Sequence, residues 1–253
     1  MIKAVLIGAL GKMGKLFIKE SETISDFVIV AGADPVVSNF TEGKKTVSVY
    51  GFPVYASAED IVEKADVAVD FSSPSSLPSI INYCEKNSSS LLFCTTGINE
   101  EQRKKLSELS KKVAVLITPN VSKGANLITE TAAELLKKIP ETEIEITETH
   151  NSKKHDCPSG TALFMAKELI SADKKRFYSA HNGKRIDKNE IRIHSLRYGN
   201  TGCEHKIIFA FGNEAITLSH NVSDMSVFAK GAVRAACFIS DKKNGEYTME
   251  EVF

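Results

Sequence analysis

The sequence has no excess charge of either sign and no long hydrophobic run. Lysine plus arginine total 32, and aspartate plus glutamate also total 32, so the formal net charge is zero. No overall field therefore attracts nucleic acid or an anionic membrane surface. No apolar segment approaches the roughly 20 residues that a membrane-spanning helix needs. We therefore expect a protein that binds neither nucleic acid nor membranes.

The sequence is also poor in cysteine, and its cysteines are not paired along the chain. There are five of them, none in a C-x-x-C spacing. This pattern is typical of free thiols in a reducing compartment. The first apolar run reaches Gly8 too soon to form the core of a signal peptide. We therefore expect a cytoplasmic protein.

The first half of the chain alternates short β-branched runs with segments of helical periodicity. This alternation is typical of βαβ units in a parallel sheet. The pattern predicts strands at 3–7, 27–33, 66–71, 91–94 and 113–118, and helices at 12–22, 75–87 and 99–111. The fold class that it indicates is α/β, with a Rossmann-like dinucleotide-binding domain.

The pattern changes after Asn120. Helices are predicted at 124–138 and 159–170, an alternating strand at 143–150, a polar stretch up to Lys188, and strands at 190–196, 205–211 and 215–220. Helices followed by clustered strands indicate an α+β domain with an open mixed sheet, which we expect to serve substrate binding and oligomerisation. A last helix at 226–240 has a predicted buried stripe of Val227, Ala232, Ala235, Ala236 and Ile239. We expect it to return to the first domain, which would then comprise 1–122 and 226–253, and the second domain 123–225.

A glycine-rich loop follows the first strand and opens the first helix. Its sequence, Gly8-Ala9-Leu10-Gly11-Lys12-Met13-Gly14, is a variant of the dinucleotide fingerprint G-x-G-x-x-G. Glycine allows a tight turn and lets main-chain N–H groups approach a pyrophosphate, which the helix N-terminus then stabilises. The alternative is a glycine turn without a ligand.

Asp34 ends the second strand, 20 residues after Gly14. A carboxylate there can accept hydrogen bonds from an adenosine ribose and repel a 2′-phosphate. The next residue is Pro35 and not arginine, which favours NADH over NADPH. Lys44 and Lys45 leave that preference open, because they either reach a phosphate or belong to a solvated loop.

Three later strands end in small or polar residues. The segments are Phe71-Ser72-Ser73-Pro74, Cys94-Thr95-Thr96-Gly97 and Thr118-Pro119-Asn120-Val121. Ligands of open α/β sheets bind at the carboxyl edge of the strands. Hydroxyl, amide and main-chain groups of these segments are therefore candidates for holding a nicotinamide and its ribose.

The stretch from Glu148 to Ala162 is rich in titratable groups and leads into a helix. His150 ends the alternating strand on its apolar side, and Lys154 follows four residues later. Pro158 and Ser159 are typical of a first helical turn, and the N–H groups of Gly160-Thr161 would bind an anionic substrate group. The pattern predicts His150 and Lys154 as proton donors over a carboxylate site. The alternative for His150 is a hydrogen-bonded core histidine.

The same stretch contains residue types that can ligate metals, namely His150, His155, Asp156 and Cys157. Their spacing matches neither H-E-x-x-H nor paired C-x-x-C motifs. We therefore predict no metal site.

Five stretches together resemble the 4-hydroxy-tetrahydrodipicolinate reductase family of bacterial lysine biosynthesis. They are residues 8–14, 95–97, 119–122, 148–162 and 231–236, and the resemblance spans nearly the whole chain. The most specific part, Lys154 to Ala162, is similar to the family's K-x-D-x-P-S-G-T-A. The resemblance implies NAD(P)H-dependent reduction of a cyclic dicarboxylate with loss of water, on the diaminopimelate route to lysine, and a homotetramer assembled through the second-domain sheet.

The resemblance also implies roles for single residues. His150 and Lys154 correspond to proton donors, Gly160 and Thr161 to residues that hold a substrate carboxylate, and Arg197 and His205 to architectural or substrate-edge positions. The implied cofactor contacts are Gly8, Ala9, Leu10, Gly11, Lys12, Met13, Asp34, Cys94, Thr95, Thr96, Thr118, Pro119, Asn120 and Val121.

The chain departs from the family pattern in the catalytic loop. Asn151 stands where the family commonly has a second histidine; it can hydrogen-bond a substrate carboxylate but carries no charge. Cys94 and Pro35 also differ from the common pattern. Two alternatives stay open: another two-domain nicotinamide dehydrogenase of amino-acid metabolism, or a regulator that binds NAD(H) without catalysis.

Overall fold

A computed structural model of the protein describes residues 1–39, 46–180 and 183–253. The chain divides into two compact units, Met1–Val121 with Phe228–Phe253, and Ser122–Val227. In chain order the elements are β1 (Ile2–Ile7), α1 (Lys12–Ser21), β2 (Phe27–Ala33), β3 (Thr46–Val49), β4 (Phe52–Tyr55), β5 (Val67–Asp70), α2 (Leu77–Asn87), β6 (Ser90–Phe93), α3 (Glu100–Ser110), β7 (Ala114–Ile117), α4 (Lys123–Lys138), β8 (Glu143–His150), α5 (Gly160–Ala172), β9 (Phe177–Ser179), β10 (Glu190–Arg197), β11 (Cys203–Phe211), β12 (Glu214–Val222), α6 (Ser226–Ile239) and β13 (Gly245–Tyr247).

The first unit is built on a largely parallel sheet with the order β13-β7-β6-β5-β1-β2-β4-β3 among the described residues. Only β3 runs antiparallel to its neighbour there. Both faces of the sheet are covered: Leu6 packs into one core, and Val5 and Ile7 pack into the other. A strand buried on both faces reads as a continuous apolar run, which is why the sequence pattern finds it. The predicted α/β, Rossmann-like class is confirmed.

The sheet has three strands that the sequence pattern misses. β3 and β4 form a hairpin whose turn residues, Tyr50 and Gly51, have φ angles of 56° and 84°. Two residues with positive φ are typical of a tight hairpin turn. The alternation of Val47 and Val49 with polar residues is the sequence pattern that could have indicated β3. β13 has only three residues and pairs with β7 at the sheet edge, so its pattern is too short to recognise.

The second unit has a mixed sheet with the order β12-β11-β8-β10-β9. β8, β10 and β9 are parallel, whereas β11 is antiparallel to both of its neighbours. One face packs against α4 and α5, where Ile146, Phe209, Leu136 and Met165 are buried. The other face carries partly exposed residues such as Ile208. The predicted open mixed sheet is therefore confirmed. The short β9 lies in the polar stretch up to Lys188, in which no strand was predicted.

α6 buries Ala232, Ala235, Ala236 and Ile239 as predicted, but Val227 is 36% exposed. Placing Val227 in the buried stripe was wrong, because a separation of five residues puts it about 140° around the helix from Ala232. No helix in the described part of the chain is both long and apolar enough to cross a bilayer.

Candidate active site

The glycine loop between β1 and α1 has almost no room for side chains at its ends. Gly8 has a φ of +79°, and a Cβ on it would lie 2.6 Å from the carbonyl oxygen of Phe71. A Cβ on Gly14 would lie 2.3 Å from the oxygen of Gly8. Gly11 is less confined, since a Cβ there would lie 3.2 Å from Gly8. Gly8 and Gly14 therefore maintain the turn, and Gly11 leaves the turn open to an approaching ligand.

The N–H groups of the early loop are used within the protein. Gly8 and Ala9 both donate to the oxygen of Ala33, at 2.8 and 3.3 Å, and the Leu10 N–H donates to Oδ2 of Asp34 at 3.0 Å. Asp34 thus anchors the loop to the end of β2, a role that sequence reasoning missed. The N–H groups of Lys12, Met13 and Gly14, in the first turn of α1, have no intrahelical acceptor, whereas the N–H of Lys15 already donates to the oxygen of Gly11 at 3.1 Å. The first-turn N–H groups are therefore the candidate donors to a phosphate.

A cavity opens beside the end of β2. Asp34, which is buried, and Glu59 are the only charged residues among the described residues that line it. Asp34 also accepts a hydrogen bond from the Val36 N–H through Oδ1. Lys44 and Lys45 lie outside the described residues. The described wall of this cavity is therefore acidic.

The ends of β5, β6 and β7 lie side by side in the sheet. Thr95 is buried, and Thr96 is exposed beside it. Thr118 uses its hydroxyl inside its own turn, where it contacts the main chain of Asn120. The side chains of Ala9 and Val121 are buried, so these residues offer a ligand only main-chain groups. Burial raises the pKa of the Cys94 thiol well above its usual value, which keeps it protonated.

Asp70 lies fully buried at the end of β5 and was not predicted as part of the site. Its Oδ1 accepts from both the N–H and the hydroxyl of Ser72, at 3.0 and 2.5 Å. Burial raises the pKa of this carboxyl. Asp70 therefore fixes the turn after β5. The sequence could have indicated Asp70, because it is an acidic residue at the end of an apolar run.

In the second unit, a buried carboxylate organises the end of β8. Glu148 is fully buried, and its Oε2 lies 2.5 Å from Nδ1 of His150, whose side chain is 13% exposed. Arg197, the partner of His150 across the β8–β10 pair, donates to both oxygens of Glu148 at 2.6 and 2.9 Å. Burial alone would raise the pKa of Glu148, but the hydrogen bonds from His150 and Arg197 hold it below its usual range.

The start of α5 is bonded to the same carboxylate. Ser159 caps the helix by accepting from the N–H of Ala162 at 3.2 Å, and its own N–H donates to Oε1 of Glu148 at 3.2 Å. Its hydroxyl also lies 3.1 Å from Nε2 of His205. His205 is 1% exposed, and its pKa is lowered to about 3, mainly by burial and also by the charge of His150. The helix that begins at Gly160 is thus fixed to β8 and β11.

The loop between β8 and α5 carries the remaining predicted donor. Nζ of Lys154 lies 2.8 Å from Oδ1 of Asp156 and its side chain is 26% exposed, so a substrate can reach the ammonium group. Asn151 accepts the N–H of Lys153 through its side-chain oxygen at 3.0 Å, which leaves its NH₂ group as a donor. Arg197 stabilises this loop by donating a hydrogen bond to the carbonyl oxygen of Asp156 at 2.7 Å.

Glu148, His150 and His205 each offer an atom that could ligate a cation, and these atoms lie within 4.8 Å of one another. The Arg197 guanidinium, however, is bonded to both carboxylate oxygens. A positive charge fixed within hydrogen-bond distance of the carboxylate repels a metal ion bound to that carboxylate. The geometry therefore favours an imidazole–carboxylate–guanidinium cluster over a metal centre.

A parallel sheet with a glycine loop before its first helix is typical of dinucleotide-binding domains, among them those of two-domain nicotinamide-dependent oxidoreductases, and this chain has both features. Family comparison specifies the kind of oxidoreductase. Residues 2–121 match the model of the N-terminus of dihydrodipicolinate reductase, and residues 124–253 match the model of its C-terminus. The chain belongs to the dihydrodipicolinate reductase family.

Individual relatives agree with this assignment. The chain is 35% identical over 256 residues to 4-hydroxy-tetrahydrodipicolinate reductase of Caldanaerobacter subterraneus subsp. tengcongensis, covering 100% of this chain and 98% of the relative. It is 36% identical to that of Clostridium novyi, with the same coverage. A dipicolinate-bound dihydrodipicolinate reductase from Paenisporosarcina sp. TG-14 has the same fold, with a TM-score of 0.78, 24% identity and full coverage of both chains. The family predicted from the sequence is confirmed.

Proposed function

We propose that the protein reduces 4-hydroxy-tetrahydrodipicolinate to tetrahydrodipicolinate on the diaminopimelate route to lysine. Substrate, NAD(P)H and one proton give product, NAD(P)⁺ and water. The observation that carries this proposal is the loop from Lys154 to Ala162, which leads from the Glu148–His150 pair to the capped start of α5 in a chain that belongs to the reductase family along its whole length.

The first unit supplies the cofactor site. The tight glycine turn and the start of α1 fit a pyrophosphate, because Gly11 leaves the turn open and the first-turn N–H groups of α1 have no intrahelical acceptor. Asp34 fits the adenosine ribose. The remaining contacts come from the strand ends: Cys94, Thr95, Thr96, Thr118, Pro119, Asn120 and Val121. The chemistry that the cofactor supplies when bound is hydride donation.

The second unit supplies the substrate site. Lys154, the amide of Asn151 and the main chain at Gly160-Thr161 would hold the two carboxylates, because an ammonium group and a helix start both favour anions. His150 or Lys154 supplies the proton that the ring takes up during reduction. Lys154 exchanges its Asp156 partner for the substrate in this scheme.

For the cofactor itself we propose a preference for NADH. Asp34 and Glu59 make the described wall of the adenosine cavity acidic. Two carboxylates repel a 2′-phosphate but accept hydrogen bonds from a free 2′-hydroxyl.

The experiment that tests the function follows consumption of NADH, and separately of NADPH, with freshly generated 4-hydroxy-tetrahydrodipicolinate. We expect turnover with both cofactors and a higher kcat/KM with NADH. Aspartate semialdehyde and simple keto acids serve as competing substrates, and turnover of those alone would indicate another dehydrogenase. Tight NADH binding without any turnover would indicate a regulator.

Alanine variants test the proton donors. We expect His150→Ala or Lys154→Ala to lower turnover by about a hundredfold or more, which is typical of lost acid catalysis. NADH affinity, measured by fluorescence titration, should stay near normal. His155→Ala is the matched control, because His155 is an exposed neighbour in the same loop. An equal loss of NADH affinity in the His150 or Lys154 variant would contradict the assignment.

A further inference from the structure

We propose that Glu148 is a positioning residue, which fixes His150 in the tautomer that presents Nε2 to the substrate, and that Arg197 holds Glu148 in place for this task. The inference rests on the proposed reductase function, in which His150 is a proton donor. It assigns roles to two residues that do not themselves touch the reacting atoms.

The first step is the hydrogen bond between the two side chains. Nδ1 of His150 lies 2.5 Å from Oε2 of Glu148. An ionised carboxylate can only accept hydrogen bonds, so Nδ1 must carry the proton of this bond. Nε2 is then the ring nitrogen that exchanges a proton with a ligand. Fixing the other nitrogen in this way sets both the tautomer and the direction of the imidazole.

The second step is the state of the carboxylate. A fully buried carboxylate is unfavourable unless it is paired and hydrogen-bonded. Glu148 receives two hydrogen bonds from Arg197 and one from the N–H of Ser159. A bidentate guanidinium pair fixes geometry as well as charge. Glu148 is therefore held ionised and immobile under His150.

The third step is the connection to the substrate site. Through Ser159 the carboxylate is bonded to the cap of α5, and through Arg197 it is linked to the main chain of Asp156 in the loop that carries Lys154. His205 packs against His150 with its ring centroid 5.2 Å away and nearly perpendicular. One carboxylate thus aligns the proton donor with the groups that would hold the substrate.

The opposite face of the same two strands provides a matched control. There Glu145 contacts Arg192 at 2.6 Å and His194 at 2.6 Å, which is again a carboxylate with an arginine and a histidine. Glu145 lies on the open face, away from α5 and its cap. Glu145→Gln therefore makes the same exchange of a carboxylate for an amide, beside the same two types of side chain, but outside the candidate site.

The experiment compares Glu148→Gln with Glu145→Gln. A glutamine amide at position 148 can donate to Nδ1 and so impose the wrong tautomer; the analogous exchange in the serine-protease triad costs about 10⁴-fold in kcat. We expect Glu148→Gln to lower kcat by about 10³-fold, with the KM for substrate and the Kd for NADH within about threefold of wild type. Glu145→Gln should keep kcat within about twofold. Equal kcat values in the two variants would overturn the proposal.

A second measurement does not depend on how Glu148→Gln folds. Nitrogen NMR of ¹⁵N-histidine-labelled wild-type protein distinguishes the two tautomers, and His150→Gln assigns the signal by removing it. We expect Nδ1 of His150 to carry a proton, and a signal from a ring protonated on Nε2 alone would overturn the proposal. Wild-type protein without reductase turnover but with the Nδ1 tautomer would contradict the proposed function and leave the Glu148–His150 geometry standing.

Discussion

Asn151 lies in the loop between β8 and α5, where the family resemblance leads us to expect a second histidine. Its side-chain oxygen is bonded to the N–H of Lys153, so only the NH₂ group is left for a substrate. A neutral amide binds a carboxylate more weakly than a charged donor does, by about 1 kcal/mol.

We expect Asn151→His to lower the KM for substrate by about fivefold below pH 6, where the new imidazole is charged. The kcat should change little, because proton donation stays with His150 and Lys154. Steady-state kinetics at pH 5.5 and 8 measure the effect. Asn151→Gln, which keeps an uncharged amide, is the control, and an equal gain in that variant would contradict a charge effect.

His205 makes the second unit sensitive to acid. Its pKa is lowered from 6.5 to about 3 in the folded state, mainly because it is buried. The unfolded chain therefore binds a proton between these pH values and the folded chain does not, so stability falls as the pH falls. The expected slope is about 1.4 kcal/mol per pH unit for this one group.

Urea unfolding of wild type and His205→Gln between pH 7 and 5 measures this slope. We expect the free energy of unfolding of wild type to fall by about 2 kcal/mol more than that of the variant over this range. Glutamine can still reach Ser159 but does not titrate. Parallel pH profiles for the two proteins would show that His205 is not the group responsible.

The turn between β1 and α1 contains glycines of two kinds, some that the turn itself requires and one that leaves space for a ligand. Gly14 packs its α-carbon against the main chain of Gly8, whereas Gly11 is the N-cap of α1 and has more space around it. The same residue type thus serves two purposes within seven positions.

We expect Gly14→Ala to destabilise the protein by about 2 kcal/mol, because main chain must move to admit the Cβ. Gly11→Ala should cost only about 1 kcal/mol, as expected for an alanine N-cap, but should weaken NADH binding by about tenfold, because the methyl group obstructs the pyrophosphate. Urea unfolding and fluorescence titration separate the two effects. A Gly11→Ala variant with unchanged NADH affinity would place the pyrophosphate elsewhere.

At the scale of the whole molecule, the open face of the second sheet is a candidate surface for contact between copies of the chain. Leu196 is 52% exposed on this face, and Ile208 is partly exposed on the same face. Exposed apolar side chains that are rimmed by polar residues often mark a protein–protein contact. We propose, in line with the family resemblance, that the protein forms a homotetramer through this face.

Light scattering measures the assembly directly. Four chains of 27.7 kDa give a mass of about 111 kDa, which we expect for wild type. Leu196→Glu should lower the mass to that of a dimer or monomer, because a charge buried in an interface lacks a partner. Val62→Glu is the control, since Val62 is highly exposed on the first unit. A wild-type mass of about 28 kDa would contradict the proposal.

Much of this protein is determined by local sequence. Both sheet classes, the glycine loop and the start of α5 were predictable, because apolar runs, alternation and capping residues act over a few neighbouring positions. His150 and Lys154 were singled out from their place between a strand end and a helix start, and their role as proton donors stays a prediction. The contact between Glu148 and Arg197 was not predictable, because these residues meet only through the pairing of β8 with β10, 49 positions apart. The anchoring of Leu10 by Asp34 spans 24 positions. Strand register decides which polar groups meet in the interior, and register is a property of the folded sheet, which no short stretch of sequence contains.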